Sequence, residues 1–206
     1  MAIITRAKNI LLSPKTEWEA ISAETETPQS LLGKYVIPMA LIPAIAFFIG
    51  YGLIGYNLLF VHIGGSMRWG LVMALNSILT SIISYYICTY VVDALAPSFG
   101  SEKNIGRSAQ LVAYSYTASW VAGIFNILPS LAILGILGLY SIYLFYLGIP
   151  VMKKTQEDKR IGYMIVSAII IIVIGFVVKM IVDRIVFGIM GNPFMPAINN
   201  MQDMLK

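Results

Sequence analysis

Long apolar runs are the feature that most restricts how this chain can fold. Residues 165–178 contain no charged side chain and show no alternation of polar and apolar positions. A helix needs about 20 apolar residues to cross the roughly 30 Å hydrocarbon core of a bilayer. In lipid, every backbone amide must be satisfied within its own segment. The pattern therefore predicts membrane-spanning helices, because a membrane β-barrel would require short segments of alternating residues.

Composition supports a membrane environment. Only 12% of the 206 residues are charged and 58% are hydrophobic, with a mean hydropathy of +0.81. A soluble globular protein has about 25% charged residues, so this chain cannot cover a surface that faces water. The basic residues behind its net charge of +4 lie mostly in loops beside the apolar runs. We therefore expect the lipid bilayer as a partner, and no nucleic acid.

Five apolar segments predict an all-α polytopic membrane protein with a five-helix transmembrane bundle. We expect an amphipathic or interfacial cytoplasmic segment at 1–34, the bundle at 35–182 and a non-cytoplasmic tail at 183–206. The predicted spans are 35–61, 69–92, 109–128, 131–151 and 161–182. Pro38 and Pro43 predict a bend near the start of the first span, because proline donates no backbone hydrogen bond.

The first 34 residues lack the long apolar core of a cleaved signal peptide. They predict a short amphipathic helix with Arg6 and Lys8 beside its apolar face, and Pro14 suits the first turn of a second helix. The apolar face contains Ile3, Ile4, Ala7, Ile10 and Leu11. Two interpretations stay open, a helix lying in the membrane interface and a cytosolic helix packed on the bundle.

Lysine and arginine residues predict the orientation. With the N-terminus inside, ten of them lie in the inner segments and four in the outer segments. This bias predicts a cytoplasmic N-terminus and an external C-terminus, because positive charge is retained on the cytoplasmic side.

A cluster of polar and aromatic residues near the inner ends of the spans is the main candidate site. Asp93 closes the second span, and the short link at 126–130 predicts an antiparallel hairpin of the third and fourth spans. The predicted polar pocket contains Asp93, Tyr114, Ser115, Tyr116, Tyr143 and Tyr146, with Lys103 and Arg107 as charge partners of the acid. The competing interpretation is an interfacial acid beside tyrosines that join helices or anchor at the headgroups.

A second polar set predicts helix packing. Small polar residues and glycines let membrane helices approach closely and hydrogen-bond to one another, which favours packing over a permeation path. The predicted packing residues are Asn76, Ser77, Thr80, Ser81, Ser84, Gly135 and Gly138.

The chain contains no recognisable catalytic or metal-binding set. His62 and Cys88 are its only histidine and cysteine, and they fall at opposite ends of their predicted spans. We therefore expect no metal, no cofactor and no enzymatic activity.

Four motifs together resemble bacterial members of the Yip domain family, over roughly residues 5–180. The motifs are Ser-Pro-Lys-Thr-Glu-Trp at 13–18, Val-Asp-Ala-Leu-Ala-Pro-Ser-Phe-Gly at 92–100, Ala-Tyr-Ser-Tyr-Thr at 113–117, and Gly-Leu-Tyr-Ser at 138–141 followed by Tyr-Leu-Gly-Ile-Pro at 146–150. The resemblance implies a five-helix membrane domain with a cytoplasmic N-terminus.

Eukaryotic relatives in this family bind Rab-type GTPases and act in vesicle traffic and membrane shaping. Their Asp-Leu-x-Gly-Pro motif corresponds to residues 93–97, where alanines replace the leucine and the glycine. Their Gly-Tyr-x-x-x-Pro motif corresponds to Ala113, Tyr114 and Ala118, where alanine replaces both the glycine and the proline.

Two functions follow from these features. The first is a non-catalytic membrane scaffold that forms a homo-oligomer, or recruits a cytoplasmic protein partner through its N-terminal segment and inner loops. The second is a small transporter or channel whose cytoplasm-facing pocket centres on Asp93 and the tyrosines. The mixed charges of the N-terminal segment favour the scaffold. The family branch and the charge bias predict location in a bacterial inner membrane.

Overall fold

The computed structural model describes residues 2–58 and 61–191, and within them the chain is almost entirely helical, which confirms the predicted class. The α-helices of the described residues are α1 (Ile3–Leu12), α2 (Pro14–Ser22), α3 (Pro28–Leu31), α4 (Ile37–Ile49), α5 (Met67–Leu95), α6 (Ile105–Ser115), α7 (Thr117–Ala122), α8 (Tyr140–Lys153) and α9 (Glu157–Met190). The π-helical turns are Leu32–Val36 and Gly50–Ile54, and the 3-10 segments are Ala96–Phe99, Gly123–Ile127 and Pro129–Leu139.

Four helical segments of the described chain are long and apolar enough to cross a membrane. They overlap the predicted first, second, fourth and fifth spans and are Pro28–Ile54, Met67–Phe99, Pro129–Lys153 and Glu157–Met190. The predicted third span is instead divided between α6, α7 and a 3-10 segment. The division occurs at Tyr116, a turn residue between α6 and α7 with a ψ of −9°.

The first membrane-length segment ends earlier than its apolar run predicts. The helix stops at Ile54, and the strands β1 (Tyr56–Leu58) and β2 (Val61–Ile63) pair antiparallel where the sequence predicts continued helix to residue 61. Gly55 causes the break, because its φ of +89° belongs to the left-handed region that favours glycine. A Cβ at this position would also lie 2.3 Å from the carbonyl oxygen of Ile63.

An exposed apolar stripe runs along α5. Its side chains recur every fourth residue, so they lie on one face of the helix. The exposed side chains are Met67, Leu71, Leu75, Leu79, Ile83 and Ile87. The exposed face of α9 is equally apolar, with Ile169, Ile172 and Phe176 all more than half exposed. Surfaces of this kind are suited to lipid rather than water, so the chain is a multi-pass membrane protein.

The N-terminal helices pack on the bundle. Trp18 of α2 is completely buried, and its indole Nε1 donates a hydrogen bond to the carbonyl of Leu144 at 3.1 Å. Gly148 of α8 makes the room for it, because a Cβ there would lie 2.7 Å from the indole ring and 2.5 Å from Leu111. For α2 the structure therefore favours packing on the bundle over a free position in the interface.

Helix α1 divides its apolar face between two environments. Ile10 is fully buried against the bundle, whereas Ile4 is 83% exposed and Leu12 is 71% exposed. The two exposed side chains lie two turns apart on the same side of the helix. This side is suited to contact with lipid, so both interpretations of the N-terminal segment apply to different parts of it.

Helix α9 continues beyond the predicted fifth span. It ends at Met190, so residues 183–190 of the predicted tail are helical. Val178, Val182 and Val186 pack with Val72 of α5, and Arg68 donates a hydrogen bond to the carbonyl of Met190 at 2.6 Å. Residues 192–206 of the predicted tail lie outside the described residues.

Candidate functional site

Asp93 lies in the last turn of α5 and is only 6% exposed. Its Oδ1 accepts hydrogen bonds from the backbone N–H of Asn104 at 2.8 Å, the hydroxyl of Ser108 at 3.0 Å and the Nζ of Lys153 at 3.1 Å. We call the four residues Asp93, Asn104, Ser108 and Lys153 the charge cluster. We call the end of the bundle that contains the charge cluster the Asp93 end, and the opposite end of the bundle the Arg68 end.

Lys153 is the last residue of α8, and no part of its side chain is exposed. Its Nζ also contacts the hydroxyl of Ser108 at 2.7 Å and the carbonyl of Asn104 at 3.3 Å. A lysine ammonium has three protons to donate, and all three therefore have acceptors. A buried ion pair with its donors satisfied in this way stabilises one arrangement of helices, and loss of one partner leaves an unpaired charge.

Local backbone structure brings the charge cluster together. Asn104 caps α6, accepting the backbone N–H of Arg107 at 3.1 Å. The backbone N–H of Glu102 bonds to the carbonyl of Lys153, and the hydroxyls of Ser101 and Thr155 lie 2.7 Å apart. The ends of α5 and α8 are thereby tied to the start of α6.

The partner predicted for Asp93 was wrong, because the acid pairs with Lys153 and not with Lys103 or Arg107. Arg107 turns instead to the N-terminal segment and donates to the carbonyl of Glu24 at 3.0 Å. Lys103 is exposed to solvent. The signal that could have found Lys153 is its position in the last turn of an apolar span, where a lysine tail can reach back into the bundle.

The residues predicted to share a pocket with Asp93 lie in separate places. Tyr114 packs against Tyr35, with ring centroids 4.7 Å apart, and the hydroxyl of Tyr116 meets the Sγ of Cys88 at 3.3 Å. Ser115 is buried, and its hydroxyl has no hydrogen-bond partner among the described residues. The predicted single pocket is therefore not formed.

The other two predicted tyrosines belong to the surface of α8. Tyr143 is 45% exposed and packs on Tyr140, with 5.3 Å between ring centroids. The guanidinium of Arg160 lies 3.8 Å from the ring centroid of Tyr146 and also bonds to the carbonyl of that residue. The contact with Arg160 joins α8 to the start of α9. This agrees with the competing interpretation, in which tyrosines join helices.

Arg6 forms a second buried charge group that the sequence did not indicate. It is 5% exposed, bonds to Glu17 at 2.6 Å and to Glu24, and lies 5.5 Å from the ring of Tyr114. Burial lowers the pKa of Arg6, but the hydrogen bond and the charge of Glu24 outweigh this effect and raise it above its ordinary value. The arginine therefore stays charged and holds α1, α2 and α6 together.

The predicted packing residues of α5 line a cavity as well as a helix contact. Asn76 donates a hydrogen bond to Asp183 of α9 at 2.7 Å, and Asp183 pairs with Lys179 at 2.7 Å. The cavity beside this contact has a volume of ≈580 Å³ and is lined by Asn76, Ser77, Thr80, Ser81 and Ser84. Hydrogen bonding between helices and the lining of a cavity therefore occur on the same face of α5.

The predicted packing glycines behave differently from one another. A Cβ at Gly138 would lie 3.2 Å from the Cα of Ser119, so this glycine allows close helix approach. A Cβ at Gly135 would meet nothing within 4 Å. Within the part of the chain that the structure describes, no group of three or more histidine, cysteine, aspartate or glutamate side chains is placed to hold a metal ion.

Comparison with known proteins gives one match. Residues 8–178 match the family model of the Yip1 domain. The chain matches no curated protein and no solved structure. The matched region contains the charge cluster, most of the N-terminal helices and both predicted polar sets.

Proposed function

Because the chain belongs to the Yip1 domain family, we propose that it is a non-catalytic membrane scaffold that recruits a protein partner, or a second copy of itself, at its cytoplasmic face. The observation that carries this proposal is the charge cluster. Its charges are satisfied internally, and it ties α5, α6 and α8 into one rigid platform.

The Asp93 end presents charged side chains around this platform. Lys154 and Glu102 form an exposed ion pair at 2.8 Å beside the cluster. Other exposed charged residues at this end are Lys103, before α6, and Glu157, Asp158 and Lys159, at the start of α9. A surface of mixed charge on a rigid base is suited to steering and orienting a protein partner.

We place the chain in a bacterial inner membrane with five spans. The fifth span is formed by α6, α7 and the segment Gly123–Ile127, which connect the Asp93 end to the Arg68 end. The N-terminus is cytoplasmic and the C-terminus external, as the distribution of lysine and arginine indicates.

Photo-crosslinking in native membranes tests the scaffold. A photoreactive phenylalanine replaces Lys103 or Lys159 at the Asp93 end, and Arg184, an exposed charged residue of α9 near the Arg68 end, serves as the matched control position. We expect one discrete crosslinked product from the first two positions and none from the third. The mass of the product distinguishes a second copy from another protein. Absence of a product, or the same product from Arg184, contradicts the proposal.

A transporter is the second candidate, and one observation favours it. Ionisable residues buried in membrane proteins often mark transport sites, and Asp93 and Lys153 are both buried. Proton and ion flux through proteoliposomes separates the two functions, with Asp93→Asn as the comparison. The scaffold predicts no flux from the unaltered protein, whereas flux that Asp93→Asn abolishes would establish the transporter.

A further inference from the structure

Two neighbouring cavities lie between helices of the bundle, and both are partly open at its surface. The polar cavity of ≈580 Å³ is the one lined by the polar face of α5. The second, which we call the apolar cavity, has a volume of ≈370 Å³ and lies between α6, the segment Pro129–Leu139, α8 and α9. Tyr116 and Ser119 line both. The two volumes therefore adjoin at this pair of residues.

The polar cavity has hydrogen-bonding groups along α5 and apolar side chains, among them Phe47 and Trp120, on the rest of its described wall, which carries no net charge. Hydroxyls come from α5, and carboxamides come from Asn76 and Asn126. Its only charged lining residues among those described are Lys179 and Asp183, which neutralise one another. Polar groups inside a bilayer are unfavourable unless they are hydrogen-bonded. The wall thus matches an occupant that has several hydroxyl groups and no charge.

The apolar cavity matches a hydrocarbon chain. Its described lining includes Ile136, Phe145 and Ile172 and no charged residue. One lining residue, Ser115, is buried and has a hydroxyl without a hydrogen-bond partner among the described residues. Along α6, Ser115 lies about 15 Å from the start of the helix at 1.5 Å per residue. This distance is roughly half of the 30 Å hydrocarbon core, the depth at which acyl chains lie.

We propose that the adjoining cavities bind one molecule of an uncharged amphiphilic lipid. Its hydroxylated head occupies the polar cavity, and its acyl chain occupies the apolar cavity. Both volumes fall within the range of about 300–1,000 Å³ that is usual for small-molecule sites.

Photoaffinity labelling tests this site with a monoacylglycerol that carries a diazirine in a 16-carbon chain. At Gly135, Gly175 and Gly188 an added Cβ would meet no heavy atom within 4 Å, so a larger side chain fills space at each without disturbing the backbone. Gly135 lines the apolar cavity and Gly175 the polar cavity, whereas Gly188 lines neither. We expect label on the segments that surround Ser115 and Ile172. Gly135→Leu and Gly175→Leu should reduce it about tenfold, since each occupies ligand volume, and Gly188→Leu should not.

The head group is tested with two further diazirine probes of equal chain length. One is a plain hydrocarbon, and the other carries a glycerophosphate head with negative charge. The proposal requires both to label the cavity segments less than the monoacylglycerol does. Equal labelling by the hydrocarbon would show that no head is recognised, and stronger labelling by the phosphate would show that the head is charged. Either result overturns the proposal, as does labelling unaffected by Gly135→Leu and Gly175→Leu.

Discussion

At the scale of single residues, the buried partners of Asp93 decide what this acid does. A buried aspartate without a partner would be a candidate proton carrier in a membrane protein. Lys153, Ser108 and the backbone of Asn104 instead hold its Oδ1 in place. Because the lysine ammonium is also fully hydrogen-bonded, the pair stabilises the meeting of three helices.

Lys153→Met should destabilise the protein by about 3–5 kcal/mol, because it leaves the Asp93 carboxylate buried without its counter-charge. Thermal unfolding in detergent measures the change. Lys154→Met is the matched control and should have little effect, since Lys154 is exposed and its ion pair with Glu102 lies on the surface. The double variant Lys153→Met with Asp93→Leu should recover much of the lost stability, because it leaves no unpaired buried charge. An unchanged melting temperature for Lys153→Met would show that the pair has no structural role.

At the scale of elements, the N-terminal helices form part of the core. Trp18 and Ile21 of α2 are completely buried, and Gln110 of α6 donates hydrogen bonds to the carbonyls of Ile21 and Glu24. Complete removal of this segment would therefore expose the core of the bundle. Single substitutions are the better way to separate its structural contribution from partner binding.

Trp18→Ala should release α1 and α2 from the bundle, because truncation of a buried tryptophan costs about 3–5 kcal/mol. Limited proteolysis with trypsin measures the release at Lys8 and Lys15, which are exposed but lie on folded helices. Glu19→Ala, an exposed neighbour on the same helix, is the control and should be cleaved like the unaltered protein. If Trp18→Ala is cleaved no faster than this control, the indole does not hold the segment.

At the scale of the whole molecule, the number of membrane crossings depends on how the segment between α5 and the Pro129–Leu139 segment is placed. Four segments have the length and hydropathy of a span, and a fifth crossing depends on α6, α7 and the turn that follows. This stretch contains many polar residues, among them Ser108, Gln110 and Thr117, which are fully buried. A segment surrounded by other helices can cross a membrane with lower hydropathy, because little of it faces lipid.

Cysteine labelling tests the fifth crossing directly. Lys103 and Ser130 are both exposed and lie on either side of the stretch, and the natural Cys88 is buried and serves as the background. A membrane-impermeant maleimide should label Ser130→Cys in intact cells, and Lys103→Cys only after permeabilisation. Labelling of both from one side would leave four crossings and refute the five-span topology.

The sequence alone determined the helical class, the membrane environment and the family resemblance. These properties depend on hydropathy and local motifs, which long apolar runs and short fixed spacings record directly. It predicted helix to residue 61 and a single pocket around Asp93, and both were wrong. The break at Gly55 comes from a positive φ and a close backbone contact, and the pocket was inferred from depth alone.

Only tertiary structure decided that Lys153 pairs with Asp93, that Arg6 turns inward, and that the polar face of α5 borders a cavity. Such contacts depend on how helices rotate about their axes and which faces meet, and hydropathy along one chain does not specify that choice.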